Sequence, residues 1–235
     1  MTEFVFKKKK ADEGELEFLG DFEGLYRADA DPWGQSGDGD NLPMNEFYKI
    51  SRKVLCNRIA DIFSATYIPD QKPNICEIGS GAGFLTIMLK EALPSAHICG
   101  IDISETAIAK SKSQFPGIEF RCHNILGGGL GAKYDVLILS NILWYVIHDL
   151  ENLTVNIVDS LKKNGGESFL VVQNALFKNE QSYGADVISS IGSMTDVFIK
   201  CLSGKVEILM VSSELHRSSD MHHDFGLVIF KLLIL

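Results

Sequence analysis

Residues 75–83 read Ile-Cys-Glu-Ile-Gly-Ser-Gly-Ala-Gly, and nineteen residues further on Asp102 closes a second apolar run. An apolar strand running into a glycine turn, then a second strand ending in a carboxylate, describes a nucleotide-cofactor site. The turn lets the backbone approach the cofactor, and the acid accepts from ribose hydroxyls. Taken alone, the glycines also fit a tight strand-to-helix turn with no ligand.

Two details argue against a dinucleotide. That fingerprint is Gly-x-Gly-x-x-Gly/Ala, and its third small residue lets helix and strand pack closely. Here the glycines stand at 79, 81 and 83, and position 84 is Phe. Glu77 lies two residues before the first glycine. A carboxylate there repels a pyrophosphate and suits a cationic ligand. The stretch resembles motif I of the class I S-adenosylmethionine-dependent methyltransferases, and Asp102 resembles their ribose-binding acid.

That resemblance implies S-adenosyl-L-methionine as cofactor and S-adenosyl-L-homocysteine as product. Backbone at Gly79 and Gly81 approaches the methionine end, Glu77 accepts from the ammonium, and the helix after Gly83 offers free amides to the carboxylate. Asp102 takes the ribose, or serves as a helix N-terminal acid ahead of Ser104, or both. Ile103 follows it as a further cofactor contact.

Composition sets the frame. A chain of 235 residues, 46% hydrophobic and 23% charged, fits one α/β unit with decoration. A net charge of −9 leaves no dominant basic surface, which argues against nucleic acid as the main partner. Lys7 to Lys10 is read as a short solvated tail. The five cysteines are odd in number and form no CxxC; Cys76, Cys99 and Cys122 are expected in core strands. These features, no visible apolar leader and no span long enough for a bilayer place the chain in the cytoplasm. A monomer or homodimer acting on a small-molecule acceptor, with neither nucleic acid nor membrane as partner, is expected.

The hydrophobic pattern predicts a short helix around Glu15–Tyr26 and a longer one over 43–66. Strands follow at Asn74–Ile78, His97–Asp102, Ile118–Cys122, Tyr134–Leu139 and Ser168–Gln173. Helices at Phe84–Leu93, Glu105–Gln114 and Leu150–Lys162 lie between them. This alternation means a parallel sheet with helices on both faces. A helix over Ala185–Cys201 then precedes two apolar runs, Lys205–Val211 and Gly226–Leu233. The resemblance implies that these pair as an antiparallel hairpin closing a doubly wound, mostly parallel, seven-stranded Rossmann-like sheet. The expected organisation is an N-terminal tail and helical lid over 1–66 and a methyltransferase domain over 67–235.

Further candidates sit after the later strands. Asn124 stands where this class commonly has an Asp that accepts from the adenine amino group; its amide oxygen can do the same, or it can cap a turn. Ile125 would line an adenine face. Ser140 opens the segment Ser140-Asn141-Ile142-Leu143-Trp144-Tyr145-Val146-Ile147-His148-Asp149, beyond the carboxyl end of a central strand. His148 is the first candidate base, because imidazole changes protonation near neutrality, followed by Tyr145 and Asp149. A solvated His148, and Trp144 or Tyr145 as core, are the plainer readings. Asn164-Gly165-Gly166 resembles the glycine turn of the class and serves equally as a helix C-cap. His216, His222 and His223 match no standard zinc spacing, so no metal is expected.

A narrower resemblance is to the nodulation protein S family, whose members N-methylate the amine of a chitooligosaccharide. It rests on Asp31-Pro32-Trp33, on Phe47 and Arg52, and on Tyr183-Gly184-Ala185-Asp186-Val187. The last stretch is one residue shorter than the family's, and the segment between Trp33 and Phe47 is longer. Trp33 then belongs to the lid, and Arg52 reaches the cofactor carboxylate or makes a surface salt bridge. The function implied is N- or O-methylation of a saccharide or amine-bearing metabolite. The alternatives are a protein or nucleic-acid methyltransferase and an inert binding subunit of the same fold. The absence of (Asp/Asn)-Pro-Pro-(Tyr/Phe) at 140–143 counts against nucleic-acid amino methylation.

Overall fold

The apolar runs flanking the glycine turn become central strands covered on both faces. The computed structural model describes residues 3–8, 16–36, 42–66, 72–162, 167–177, 183–218 and 221–233. The elements begin with β1 (Phe6–Lys8), β2 (Leu16–Phe18), α1 (Phe22–Ala28) and α2 (Leu42–Thr66). Next come β3 (Asn74–Ile78), α3 (Phe84–Ala92), β4 (His97–Asp102), α4 (Glu105–Gln114), β5 (Glu119–Cys122) and a 3-10 turn, Ile125–Gly127. The remainder is β6 (Val136–Ser140), α5 (Leu143–Val146), α6 (Leu150–Ser160), β7 (Ser168–Phe177), α7 (Ile191–Cys201), β8 (Val206–Ser218) and β9 (Met221–Leu232).

Seven strands form one sheet in the order β5-β4-β3-β6-β7-β9-β8. Neighbours from β5 to β7 are parallel, and β9 runs antiparallel to both β7 and β8. This is the doubly wound sheet with a terminal antiparallel hairpin that the sequence implied. The chain builds outward from β3 to β5, then returns to place β6 on the other side of β3. That reversal opens a crevice at the carboxyl ends of β3 and β6, where open α/β sheets take ligands.

Strand alternation divides the core in two. Leu137 and Leu139 of β6 join Leu153, Ile157, Met194 and Phe198 of α6 and α7 on one face. Val136 and Ile138 join Leu55, Ile59, Leu85 and Leu89 of α2 and α3 on the other. Each fully buried aliphatic side chain contributes about 1.5–3 kcal/mol relative to exposure. Among the described residues no helix is long and apolar enough to cross a membrane.

Several expectations need correction. The helix around Glu15–Tyr26 is instead β2 followed by α1. Gly20 takes φ +68, which breaks the run, and the Asp21 side chain restarts it by accepting from Gly24 N at 2.8 Å. Lys7 and Lys8 are not tail but β1, where Lys7 faces Glu17 across the pair and the Phe6 and Phe18 rings meet at 5.5 Å. Lys9, Lys10 and Asn164-Gly165-Gly166 lie outside the described residues. The last helix starts at Ile191, because Ser190 and Ser193 form a capping box there. Both hairpin strands run longer than expected. Cys76 and Cys99 are buried, whereas Cys122 is exposed at the end of edge strand β5.

Replacing Leu137, which is wholly buried at the centre of β6, by Ala leaves a cavity between the sheet and α6. Unfolding free energy from urea titration is expected to fall by about 2–5 kcal/mol with the fold retained.

Candidate functional site

The glycine turn is built from backbone. Gly79 N and Ser80 N both donate to Ile101 O at 2.8 Å, which ties the end of β3 to β4. Gly79 and Gly81 have φ of +78 and +52, a region that disfavours any other residue. A Cβ on Gly79 would meet Ile142 Cγ2 at 2.4 Å, and one on Gly81 would meet the Tyr26 hydroxyl at 2.4 Å. Both positions therefore need glycine for contact as well as for conformation.

Asp102, at the end of β4, braces this turn. Its Oδ2 accepts from Gly81 N at 2.8 Å and its Oδ1 from Ser104 N at 2.9 Å. Burial pushes its carboxyl up, against the pull of the Ser104, Gly81 and Ile103 N–H groups. Each oxygen retains a second lone pair, and Asp102 lines an open cavity over the carboxyl ends of β3, β4 and β6.

Of the cofactor residues expected from sequence, Gly79, Asp102, Ile103, Asn124, Ile125 and Ser140 line that cavity, as do Trp33 and Tyr145. Asn124 also caps the 3-10 turn, since its Oδ1 accepts from Leu126 N at 3.0 Å. Its amide oxygen, expected to meet adenine, thus already holds one N–H. His148 and Asp149 are not on the wall. Helix α5 turns Tyr145 and Val146 toward the cavity, and the chain then leaves it. His148 is exposed with its ring 5.5 Å from that of Tyr183, and Asp149 occupies the N-cap position of α6. Burial drives the Tyr145 phenol far up, so it keeps its proton and donates rather than removes one. The side chains of His216, His222 and His223 lie outside the described residues.

Glu77 and Arg52 form a buried polar pair beside the turn. Glu77 is 3% exposed, and burial raises its carboxyl to about 8 although Thr86 Oγ1 donates to it and Arg52 faces it. Arg52, on α2, is 7% exposed and burial lowers its pKa. Its Nη2 donates to Gln35 O at 2.8 Å, while its Nε and Nη1 are buried without a hydrogen-bond partner. Gln35 is set by Asp31, whose Oδ1 accepts from Gln35 N and whose Oδ2 accepts from Ser36 N, both at 2.7 Å. Desolvated donors of this kind, without acceptors among the described residues, cost stability.

Aromatic rings close the outer wall. Tyr145 is their hub, with ring centres 4.9 Å from Phe22, 5.8 Å from Trp33 and 6.3 Å from Phe18. Phe18, Phe22, Gln35, Tyr48 and Asn141 escaped the sequence reading. Asn141 left one usable signal, an Asn directly after a strand. It holds φ +57, and its Oδ1 accepts from Ala175 N at 2.8 Å, fixing the start of the loop against β7.

Residues 76–166 match the methyltransferase domain family. The chain superposes on the N-methyltransferase NodS of Bradyrhizobium japonicum bound to S-adenosyl-l-homocysteine with a TM-score of 0.59. That match covers 90% of this chain and 97% of the other at 20% identity. Residues 76–166 thus resemble a methyltransferase domain, and the chain shares its fold with a methyltransferase solved with S-adenosyl-l-homocysteine. In sequence it is 31% identical over 131 residues to malonyl-[acyl-carrier protein] O-methyltransferase of Acetivibrio thermocellus, covering 55% of this chain and 45% of that protein. It is 30% identical over 121 residues to nodulation protein S of Azorhizobium caulinodans, covering 49% and 57%. The chain thus spans about half the length of the relatives it matches.

The site carries a pH signature at Glu77. Its folded pKa of about 8 exceeds the ordinary 4.5, so the folded chain holds a proton that the unfolded chain releases. The associated stability is full below the ordinary value and is lost as pH rises toward about 8. Glu77→Gln is expected to flatten the decline in urea midpoint of the ligand-free chain across that window. A slope equal to the parent's would remove the buried, protonated carboxyl.

Proposed function

We propose that the chain is an S-adenosylmethionine-dependent methyltransferase with a small-molecule acceptor, a saccharide or other amine-bearing metabolite, methylated on nitrogen in preference to oxygen. One observation carries the cofactor assignment. Arg52 Nε and Nη1 are buried without acceptors among the described residues, and Glu77 is a buried acid on nearby β3. Together they match the polarity of an α-amino acid, with an anion on Arg52 and a cation toward Glu77. A pyrophosphate has no such polarity.

On this reading Arg52 holds the cofactor carboxylate and Glu77 draws its ammonium. Asp102 accepts from the ribose with the lone pairs left by Gly81 and Ser104. Ile103 and Ile125 flank the adenine beside Asn124, and Gly79, Gly81 and Gly83 let the backbone come close. When bound, S-adenosylmethionine supplies a methyl group already activated on positive sulfur. The protein's task is alignment, worth an effective molarity of about 10⁵–10⁸ M in well-oriented systems.

The acceptor end is lined by Phe18, Phe22, Trp33 and Tyr145. Aromatic faces stabilise the alkylammonium that transfer to an amine produces. A hydroxyl acceptor needs a base, but Tyr145 holds its proton, His148 and Asp149 lie off the wall, and His123 on the wall has its Nε2 3.1 Å from Gly128 O. Of the lid expected over 1–66, the part that covers the cavity is 16–36, since α2 packs Leu55 and Ile59 into the core. The sequence relatives include an O-methyltransferase as well as a nodulation protein, so they leave the atom methylated open, and the cavity lining is what supports nitrogen.

Calorimetry with S-adenosylhomocysteine and with methylthioadenosine, which lacks the amino-acid end, separates the parts of this assignment. Arg52→Met is expected to weaken the first roughly ten- to hundred-fold, the range for loss of charge-assisted hydrogen bonds, and to leave the second near parent affinity. Failure of the parent to bind S-adenosylhomocysteine would overturn the function. An equal loss for both ligands would overturn the role of Arg52.

A further inference from the structure

Helix α1 is fastened to α4 by polar groups at both its ends, and Ser104 and Ser111, beside those attachments, lead on to the glycine turn. Near the start of α1, Glu23 Oε2 accepts from Ser104 Oγ at 2.7 Å and from Thr106 N at 3.1 Å. Its Oε1 accepts from Thr106 Oγ1 at 2.6 Å. Glu23 thus meets the first turn of α4, whose N-terminal N–H groups favour a carboxylate. At the far end of α1, Lys110 Nζ donates to Tyr26 O and, at 3.0 Å, to Asp29 O. Its ammonium also stands 6.0 Å from the centre of the Tyr26 ring.

These contacts continue inward without a break. Ser104 N donates to Asp102 Oδ1, and Asp102 Oδ2 accepts from Gly81 N. Ser111, one residue beyond Lys110, donates to Gly81 O at 2.8 Å. Tyr26, 3% exposed, lays its hydroxyl against Gly81, where a Cβ would come within 2.4 Å of it. A ligand that uses the close approach at Gly81 meets Tyr26 first.

The interface is of a kind that opens. No α1 residue belongs to either of the two main apolar clusters on the faces of the sheet. Leu25 and Tyr26 are its buried side chains, and the ties of Glu23 and Lys110 to α4 are hydrogen bonds and ion–dipole contacts, which water replaces at small net cost. Segments held in this way open locally without global unfolding.

We propose that Glu23 and Lys110 are positioning residues that fix α1 on α4, hold Tyr26 over Gly81, and so set how fast the cofactor enters and leaves. The proposal rests on the cofactor reading given above. Neither residue needs to touch the cofactor; both act through Tyr26. Glu23 is well suited to a permanent clasp, because the hydroxyls of Thr106 and Ser104 and the Thr106 N–H keep its carboxyl ionised, down to about 2.

Two measurements test this on the full chain, using Glu23→Ala, Lys110→Met and, from the α4 side, Thr106→Val. In hydrogen exchange of the ligand-free protein, amides of residues 22–29 are expected to exchange faster in each variant, while those of β3, β4 and β6 stay protected. In stopped-flow mixing with S-adenosylhomocysteine, followed by tryptophan fluorescence, association and dissociation rates are both expected to rise, roughly ten-fold, with a much smaller change in Kd. Rates equal to the parent's, or a loss of affinity with unchanged association, would overturn the gating role. Unchanged exchange over 22–29 would overturn the clasp itself, whatever the cofactor does. A parent chain that binds no S-adenosylhomocysteine would instead overturn the cofactor reading and the gating role with it, while the exchange result would still stand or fall for the clasp. If Glu23→Ala lowers thermal stability broadly, Thr106→Val removes one bond of the clasp from the other side and decides the matter.

Discussion

The carboxylate of Asp102 is the joint on which the site turns. It sits at the end of β4, yet its two oxygens hold the glycine turn after β3 through Gly81 N and the start of α4 through Ser104 N. Two strand ends and one helix start are thereby fixed relative to one another before any ligand arrives. Buried N–H groups must be satisfied, and here a single acid satisfies two of them. Deleting the side chain would strip both N–H groups of their acceptor, so any ligand contact of Asp102 is inseparable from its structural role. Only a residue with two acceptor oxygens and no donor fills the place.

The other half of the site runs against stability. Glu77 and Arg52 are buried beside one another, yet Glu77 is raised to about 8 and Arg52 keeps two N–H groups without partners. A well-packed apolar pair would serve the fold better. A polar pair left incomplete is consistent with a site preorganised for a ligand that carries both charges. The strained left-handed Asn141 at the end of β6 belongs to the same pattern, since strain gathers where a site needs a particular geometry.

The sheet was legible because its physics is local and periodic. Apolar runs at 75–78, 98–101 and 136–139 can only be strands covered on both faces, and alternation with amphipathic helices makes the order nearly obligatory. The glycine turn was legible for the same reason, since φ > 0 and close approach both leave their mark as Gly. The first 36 residues were not. Gly20 and Asp21 there divide what looks like one helical run, and β1 exists only because Phe6 finds Phe18 and the two find Tyr145. Such pairing is tertiary, and no spacing within the segment announces it. The choice of His148 failed to reach the cavity on similar grounds. A residue type suited to proton transfer was visible, but the four-residue helix that turns it outward was not.

This asymmetry follows from how the domain divides its work. The cavity residues at or just past strand ends, Gly79, Asp102 and Asn124, are set by the register of β3, β4 and β5. Phe18, Phe22 and Trp33 line the same cavity from the segments that precede α2. The first group is held by the hydrogen bonding of the main sheet and the second lies outside it, so the rings can vary with less effect on the sheet than the strand ends can. On the function proposed above, acceptor choice then falls to the ring cluster around Tyr145 and to the contacts that hold α1 against α4.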